Sequence, residues 1–285
     1  MIPVVKTVEE VRDFVKGARR EGKSVGFVPT MGFLHEGHKS LIVRAAAEND
    51  VVVVSDFVNP TQFGPNEDFE AYPRDIKKDA ELCYEAGADI IFNPEADEMY
   101  QSPLTTVSVS KITKGLCGRT RPTHFDGVCT VVSKLFNIVM PDKAYFGEKD
   151  AQQLFVIRKM VKDLNFDIEI VGCPIVRESD GLAKSSRNTY LNPRERQAAL
   201  CLYNSLKIGR NMVDEGESDA KKIADKIRTE IEKEPLAKVD YVEIVDLDTL
   251  EPTDTTDCGI LCAVAVYIGK TRLIDNFIIE RRNDR

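Results

Sequence analysis

The chain has 285 residues, of which 42% are hydrophobic and 30% charged, and this composition is typical of a globular domain and not of a disordered chain. Its formal net charge of -8 argues against nucleic-acid binding, which usually requires a surplus of basic residues. No apolar run approaches the roughly 20 residues that cross a bilayer, which excludes a membrane-spanning role. The seven cysteines are odd in number, form no C-x-x-C pair and follow no apolar signal segment, so we expect reduced thiols in a cytoplasmic protein.

Short apolar runs alternate with amphipathic stretches through the N-terminal half of the chain. This alternation predicts a parallel sheet covered by helices, and the fold class we expect is α/β with a doubly wound, Rossmann-like sheet. Gly87 follows a helical pattern and would end that helix. The predicted strands are 25–28, 50–58, 89–92, 143–146 and 166–172, and the predicted helices are 38–49, 74–86, 127–140 and 151–164.

The pattern changes between residues 174 and 187. Two charged amphipathic helices are predicted at 193–214 and 219–232, followed by strands near 239–245, 261–268 and 271–279. The short connection between the last two strands predicts a hairpin. We therefore expect two domains, residues 1–174 and a smaller α+β domain of residues 175–285.

Two of the three histidines of the chain stand three residues apart in the segment PTMGFLHEGHKSLI, at the start of a predicted helix. A helix N-terminus carries unsatisfied backbone N–H groups and a partial positive charge, which together suit a phosphate group. His35 and His38, at positions i and i+3, can face the same ligand. Gly32 and Gly37 allow the backbone to approach that ligand closely.

Three other interpretations compete for this segment. A structural zinc site needs more imidazole or thiolate ligands, and the second histidine falls one residue too early for the H-E-x-x-H metalloprotease pattern. Neither the G-x-G-x-x-G fingerprint nor a Walker A loop is present. Hydrogen-bonded core histidines remain the structural alternative, but two histidines around a glycine at a strand–helix junction favour a functional role.

Several segments of the chain resemble those of a known family. His35, Gly37 and His38 resemble the H-x-G-H signature of a nucleotidyltransferase superfamily. Further segments, FVNPTQFGPNEDFEAYPR, RPTHFDGVCTVVSKLFNIVMPDKAYFGEKDAQQL and IVRESDGLAKSSRNTYL, follow in an order and spacing that resemble the pantoate–β-alanine ligases. The resemblance covers most of residues 1–195.

The resemblance implies an enzyme, an acid–amine ligase that condenses (R)-pantoate with β-alanine. ATP would be consumed, a pantoyl adenylate would form, and the products would be pantothenate, AMP and pyrophosphate. Mg²⁺ would be bound through the ATP phosphates and not by a protein metal site. The family also implies a homodimer and a C-terminal domain that closes as a lid.

The site residues implied by the resemblance fall into two groups. The pantoate and β-alanine group is Asn59, Gln62, Arg121 and Gln153. Within the ATP group, His38, His35, Lys149 and Arg187 are the expected catalytic residues, with His38 favoured as the proton donor. The ATP group is Pro29, Thr30, Met31, Gly32, Phe33, Leu34, His35, Glu36, Gly37, His38, Gly147, Glu148, Lys149, Asp150, Val176, Lys184, Ser185, Ser186 and Arg187.

Chemistry supports several of these roles, although each motif has a plain structural reading as well. Neutral amides such as that of Gln62 can orient a carboxylate without cancelling its charge, so its nucleophilicity survives. Residues 147–150 could instead be a solvated helix start, and residues 184–187 a surface turn. Lys184 departs from the family pattern M-S-S-R, so its role stays open.

The remaining features point less strongly to chemistry. His124 is expected beside Arg121 at the acyl-substrate end of the pocket, and Asp126 is expected as the cap of the following helix. The cysteines are expected as small buried hydrophobic residues. Two other functions stay open, namely a nucleotidyltransferase acting on a phosphate monoester, and a nucleotide sensor that has lost turnover.

Overall fold

The computed structural model describes residues 2–65 and 67–281, and these form two compact units. The first unit contains the described residues up to 110 together with 121–148 and 153–174. The second contains residues 111–120, 149–152 and 175–281. Two short segments that precede residue 175 therefore belong to the unit that is formed mainly by the C-terminal part of the chain.

The first unit is built on a six-stranded parallel sheet with the strand order β1-β4-β3-β2-β5-β6. From β2 the chain adds β3 and then β4 on one side and returns to place β5 on the other side, so the strand order reverses between β2 and β5. Ligands of open α/β sheets bind outside the carboxyl ends of the strands at such a switch point. The strands are β1 Val4–Val5, β2 Val25–Thr30, β3 Val51–Asp56, β4 Ile90–Phe92, β5 Lys143–Gly147 and β6 Glu169–Cys173.

Helices cover both faces of this sheet, as the doubly wound class requires. Successive strand residues point to opposite faces. Val28 lies in an apolar cluster with Ile42 of α2 and Cys83 of α3, whereas the neighbouring Phe27 contacts the ring of Phe136 in α6, with 6.4 Å between centroids. The α/β class predicted from the sequence is confirmed. The helices along this part of the chain are α1 Val8–Arg20, α2 Glu36–Glu48, α3 Ile76–Ala86, α4 Ala96–Met99, α6 His124–Val139 and α7 Ala151–Asp163, whose first two residues belong to the second unit.

The second unit packs helices against a three-stranded antiparallel sheet with the order β7-β8-β9. Ile223, Ile227 and Ile231 recur at four-residue spacing on one face of α10, and all three are buried in one cluster with β8. The predicted hairpin is confirmed by the pairing of Ile268 with Thr271. The elements are α5 Cys117–Thr120, α8 Pro193–Ala198, α9 Leu200–Asp214, α10 Ala220–Glu232, β7 Ala237–Asp246, β8 Ile260–Ile268 and β9 Thr271–Ile279.

Several details differ from the expectations. The predicted helix over 193–214 is two helices that meet at Ala199, and the hydrophobic pattern hides this break because Ala198, Ala199 and Leu202 are all buried. Helix α6 begins at His124, so the prediction that Asp126 caps it was wrong, and Asp126 lies in the first turn. Neither α1 nor β1 was predicted. Among the described residues, no helix has the length and apolarity to cross a membrane.

Candidate active site

The two histidines of the H-x-G-H segment cap helix α2 reciprocally. His35 is the N-cap residue, and its Nδ1 accepts a hydrogen bond from the backbone N–H of Gly37 at 3.1 Å. The Nδ1 of His38 accepts one from the backbone N–H of His35 at 3.3 Å. The two rings stack at 4.1 Å between centroids. This is the geometry of a capping box in which two imidazoles take the places usually held by Ser or Thr and Glu.

This capping fixes the tautomer of both rings. An imidazole nitrogen that accepts a hydrogen bond carries no proton, so each neutral ring carries its proton on Nε2. Both Nε2–H groups are then hydrogen-bond donors at the N-terminus of α2, where the helix dipole also favours an anion. The structural and functional readings of the two histidines are therefore compatible, since the capping bonds prepare the donors.

Gln62 lies beyond the carboxyl end of β3, next to the strand that leads to His35. Its side chain is buried, its Nε2 donates to the sulfur of Met31 at 2.9 Å, and its Oε1 accepts from Nδ2 of Asn59 at 3.1 Å. Asn59 is 1% exposed and also accepts from the hydroxyl of Tyr100 at 2.7 Å. The structure thus brings three of the predicted site residues, Met31, Asn59 and Gln62, into one hydrogen-bonded group.

The backbone of Gln62 is held by the start of α6. His124 Nδ1 lies 2.9 Å from the Gln62 carbonyl oxygen, and Arg121 lies 3.4 Å from the same oxygen. The guanidinium of Arg121 also forms a largely buried ion pair with Glu67 at 2.6 Å. Arg121 is expected to contact the acid substrate. In the structure its guanidinium group pairs with Glu67, and its N–H groups donate to Glu67 and to the Gln62 carbonyl. Beside this ion pair, the pKa of the Glu67 carboxyl is lowered despite the opposing effect of burial.

The third strand of the site is β5, which ends at Gly147. A Cβ atom at this position would meet no atom within 4 Å, so the backbone here borders open space, as the expected close approach of a nucleotide requires. Glu148 follows in the first unit, and Gln153 lies partly exposed in the first turns of α7. These positions, like His35 and Gln62, follow the carboxyl ends of neighbouring strands.

Lys149 and Asp150 belong to the second unit, where β9 anchors Lys149. Asn276 donates from Nδ2 to the backbone oxygen of Lys149 at 2.9 Å. The Nζ of Lys149 lies 3.7 Å from a carboxylate oxygen of Asp150, whose side chain is about half exposed. The adjacent Gln152 is buried and accepts from the backbone N–H of Cys117 at 2.9 Å, which ties the 111–120 segment to the same unit.

The loop that contains residues 184–187 is fixed at both ends. Lys184 donates from its backbone to the carbonyl of Val176 at 2.9 Å, and its side chain pairs with Glu178 at 3.0 Å. The charge of Lys184 is therefore partly neutralised by a neighbour. Ser185 caps a short 3₁₀ helix, Ser186–Tyr190, by accepting from the backbone of Arg187 at 3.3 Å, and Ser186 is buried.

Three residues around the site, Asp56, Asp79 and Asn276, were not singled out by sequence reasoning. His124 was expected at the acyl-substrate end of the pocket, but its contact with Gln62 was not expected. These residues act through the backbone of a site residue or lie beside it, and no short motif marks such contacts. Within the described ranges, no cluster of three or more His, Cys, Asp or Glu side chains has the arrangement of a metal site.

Comparisons with known proteins identify the family of the chain. A model of the pantoate-beta-alanine ligase family matches residues 3–278. The pantothenate synthetase of Clostridium acetobutylicum is 60% identical over 275 residues, which cover 96% of this chain and 98% of that protein. A crystal structure of pantothenate synthetase from Thermus thermophilus superposes with a TM-score of 0.93 at 45% identity, covering 98% of this chain and 100% of that one.

A second solved structure adds a ligand-bound relative. The pantoate-beta-alanine ligase from Francisella tularensis, crystallised in complex with beta-gamma ATP and beta-alanine, superposes with a TM-score of 0.80 at 34% identity, covering 98% of both chains. The family model and the curated relative both span nearly the whole chain, from the parallel sheet through the C-terminal unit. The chain therefore belongs to the pantoate–β-alanine ligase family, whose members are ligases that form a carbon–nitrogen bond.

Proposed function

We propose that the chain condenses (R)-pantoate with β-alanine in two chemical steps at one site. In the first step a carboxylate oxygen of pantoate attacks the α-phosphorus of ATP, and pantoyl adenylate and pyrophosphate form. In the second step the β-alanine amine attacks the acyl carbon, the acyl–oxygen bond to AMP breaks, and pantothenate, AMP and a proton are released. The observation that carries this proposal is that Nδ1 of both His35 and His38 accepts a backbone N–H bond, which places the ring protons on Nε2 at the start of α2, in a chain that belongs to this family.

His35 and His38 serve the phosphates in this scheme. Their Nε2–H groups donate to α-phosphate oxygens as negative charge grows there, and the N-terminus of α2 adds backbone N–H groups to the same region. His38 is the preferred proton donor. Because the two rings are fixed by their capping bonds, little reorganisation accompanies the reaction, which is the condition under which such donors contribute most.

Gln62, Asn59 and Gln153 serve the acid substrate. The Nε2–H₂ of Gln62 already donates to a weak acceptor, the sulfur of Met31, which a carboxylate can replace at little cost. Asn59 keeps the Gln62 side chain oriented by donating to its Oε1. An amide orients the carboxylate without forming an ion pair, so the oxygen that attacks phosphorus keeps its charge. We propose Arg121 as a residue that positions this group through Glu67 and the Gln62 carbonyl.

The triphosphate is assigned to residues of the second unit. Lys149 and Arg187 supply positive charge to the β- and γ-phosphates as pyrophosphate leaves, and Ser185 and Ser186 supply hydroxyl donors. Lys184 contributes less than a lone lysine would, since Glu178 shares its charge. Gly147, Glu148, Asp150 and Val176 complete the nucleotide contacts, with the carboxylate of Asp150 accepting from ribose hydroxyls.

Mg²⁺ is proposed to reach the site on ATP and to remain on phosphate oxygens. The metal would neutralise phosphate charge when bound, while the orientation of the reacting groups comes from the protein. We further propose that residues 175–285 act as a lid that excludes water from the adenylate. A homodimer and a cytoplasmic location complete the proposal, the latter supported by seven cysteines that are all free thiols.

Pyrophosphate release tests this function and separates it from its alternatives. Purified protein is given Mg-ATP and pantoate without β-alanine, and we expect a burst of pyrophosphate that is stoichiometric with enzyme. A nucleotidyltransferase would instead require a phosphate-monoester acceptor, and a nucleotide sensor would bind ATP without any release. If folded protein that binds ATP shows no pantoate-dependent release, the ligase proposal is wrong.

A further inference from the structure

The turn that leads from β2 to the histidine cap is held in an unusual backbone conformation. Gly32 and Phe33 both have positive φ, at 77° and 51°. This region is open to glycine but unfavourable for a phenylalanine, so Phe33 needs an external anchor to stay there. The anchor matters for function because His35 follows two residues after Phe33, and the orientation of its ring depends on this turn.

Asp79 of α3 supplies that anchor. One of its carboxylate oxygens accepts from the backbone N–H of Phe33 at 2.7 Å, and the other accepts from the N–H of Leu34 at 2.7 Å. Its side chain is 2% exposed, so these two bonds are made away from water. A carboxylate that accepts two N–H bonds in this way is strongly stabilised in its ionised form.

A second buried carboxyl group, that of Asp56, lies against the first. Asp56 is the last residue of β3 and is 7% exposed. A Cβ atom on Gly32 would collide with the carboxyl group of Asp56, while Asp79 binds the N–H groups of the next two residues, so the two carboxyl groups border the same turn. The position of Gly32 is thus reserved for backbone by the Asp56 side chain.

Among the described residues, neither Asp56 nor Asp79 forms an ion pair with a Lys or Arg side chain, and the bonds of Asp79 go to backbone N–H groups. The titratable groups around the pair include Cys83 and Asp75 on the side of α3 and His35, which directly follows the Leu34 amide bound by Asp79; none of them is Lys or Arg. Two carboxylates in contact in a buried place cannot both be ionised at modest cost. One of them must hold a proton that the other accepts.

The hydrogen bonds decide which carboxyl group is protonated. Asp79 already accepts two N–H bonds and is therefore the ionised member, whereas Asp56 donates its proton to Asp79. Burial, followed by the negative charge of Asp79, raises the pKa of Asp56 to about 7. The pKa of Asp79 is also raised by burial, while its bonds to Leu34, Phe33 and Asp56 oppose that rise.

We propose that Asp56 and Asp79 share one proton, and that this singly charged pair positions the 32–34 turn and, through it, the two-histidine cap for adenylation. When the shared proton is lost, the bond between the two carboxyl groups becomes a repulsion, and a second negative charge lies close to the place where ATP phosphates bind. Both effects act against the reaction. Adenylate formation should therefore fall as the pH rises through the titration of the pair.

The test compares two isosteric variants. Asp56→Asn keeps a donor towards Asp79 and cannot lose a proton, so it should retain adenylation at neutral pH and lose the alkaline decline. Asp79→Asn places an N–H₂ group against the N–H of Phe33 or Leu34, and should slow adenylation on the order of 10²-fold through misplacement of the histidine cap. Asp50→Asn is the matched control, since Asp50 also accepts from a backbone N–H, that of Ser24, but has no carboxyl partner among the described residues, and it should leave the pH profile unchanged.

Two readouts are used, of which only the kinetic one depends on the proposed function. Single-turnover adenylate formation is followed between pH 6 and 9.5, and the ¹⁵N–¹H shifts of Phe33 and Leu34 are followed over the same range without substrates. We expect one titration of these amides in the parent protein and none in Asp56→Asn. Amides that titrate identically in Asp56→Asn, or folded Asp79→Asn with parental rate and shifts, would overturn the inference even if ligase activity is present. If ligase activity is absent, the ¹⁵N–¹H shifts of Phe33 and Leu34 alone decide whether the two carboxyl groups share a proton.

Discussion

We expect the Gly127→Ala substitution to impair binding of the acid substrate by displacing Gln62. Gly127 lies in the first turns of α6, and a Cβ atom there would lie 2.6 Å from both Cα and N of Gln62. Ordinary carbon contacts need about 3.5–4.0 Å, so the backbone of Gln62 must move away by roughly 1 Å. The neighbouring bond from Asn59 Nδ2 to the Gly127 carbonyl, 3.2 Å long, would be strained by the same shift.

Two opposing contributions set the change in the free energy of unfolding. Replacing glycine with alanine inside a helix gains about 1 kcal/mol, whereas overpacking against a backbone that cannot rotate away costs about 1–3 kcal/mol. We expect a net loss of about 1 kcal/mol in the free energy of unfolding. The larger effect should appear in activity, because a displacement of about 1 Å in a positioning group can reduce the rate on the order of 10²-fold.

Gly17→Ala is the matched control for this prediction. Gly17 is inside α1, and a Cβ atom there would meet nothing within 4 Å, so only the helix-propensity term applies. This variant should gain about 1 kcal/mol of stability and leave the kinetics unchanged. Denaturant unfolding and initial rates of pyrophosphate release, measured against pantoate at saturating ATP, provide the two readouts. If Gly127→Ala behaves like Gly17→Ala in both, the argument about Gln62 is wrong.

Three further predictions follow from the same geometry. His38→Ala should leave ATP binding nearly intact and slow single-turnover adenylate formation by roughly 10²-fold, and an unchanged rate would refute its role. Gln62→Glu should raise the KM for pantoate more than tenfold, which corresponds to a loss of roughly 1.4 kcal/mol or more in binding free energy, because it sets one carboxylate against another. The KM for ATP should not change, and equal effects on both KM values would contradict the assignment of Gln62 to pantoate. The raised pKa of Asp56, about 7 in the folded protein, means that its stabilising contribution is complete below the unfolded pKa and is lost as the pH rises through 7. Unfolding at pH 5 and pH 8 should therefore show a loss of stability at pH 8 that is smaller in Asp56→Asn, and identical losses would exclude a titrating pair.

The fold was predictable where the hydrophobic pattern is strong. The run Val51–Val54 is buried throughout, as expected for a central parallel strand, and Gly87 ends α3 in the left-handed conformation, at a φ of 91°. Helix α1 carried a usable signal, since Thr7 and Glu10 form a capping box before buried residues at helical spacing. Strand β1 carried none, because it has only two residues and its pairing with β4 is non-local.

The candidate site was predictable in part for a similar reason. Short motifs mark residues that touch a ligand, so His35, His38 and Gln62 could be singled out from spacing and residue type. The contacts that orient them join distant parts of the chain. His124 reaches Gln62 across 62 positions, and Asp79 reaches Phe33 across 46, so only the folded sheet and its packed helices bring these pairs together.

Isotope transfer shows whether the pantoate carboxylate itself attacks the α-phosphorus of ATP. Pantoate labelled with ¹⁸O in both carboxylate oxygens is converted with ATP and β-alanine, and AMP and pantothenate are analysed by mass spectrometry. We expect one ¹⁸O atom in each AMP and one retained in the amide carbonyl of each pantothenate. AMP without label, formed together with pantothenate, would show that the carboxylate is activated in another way, and the proposed attack on phosphorus would be wrong.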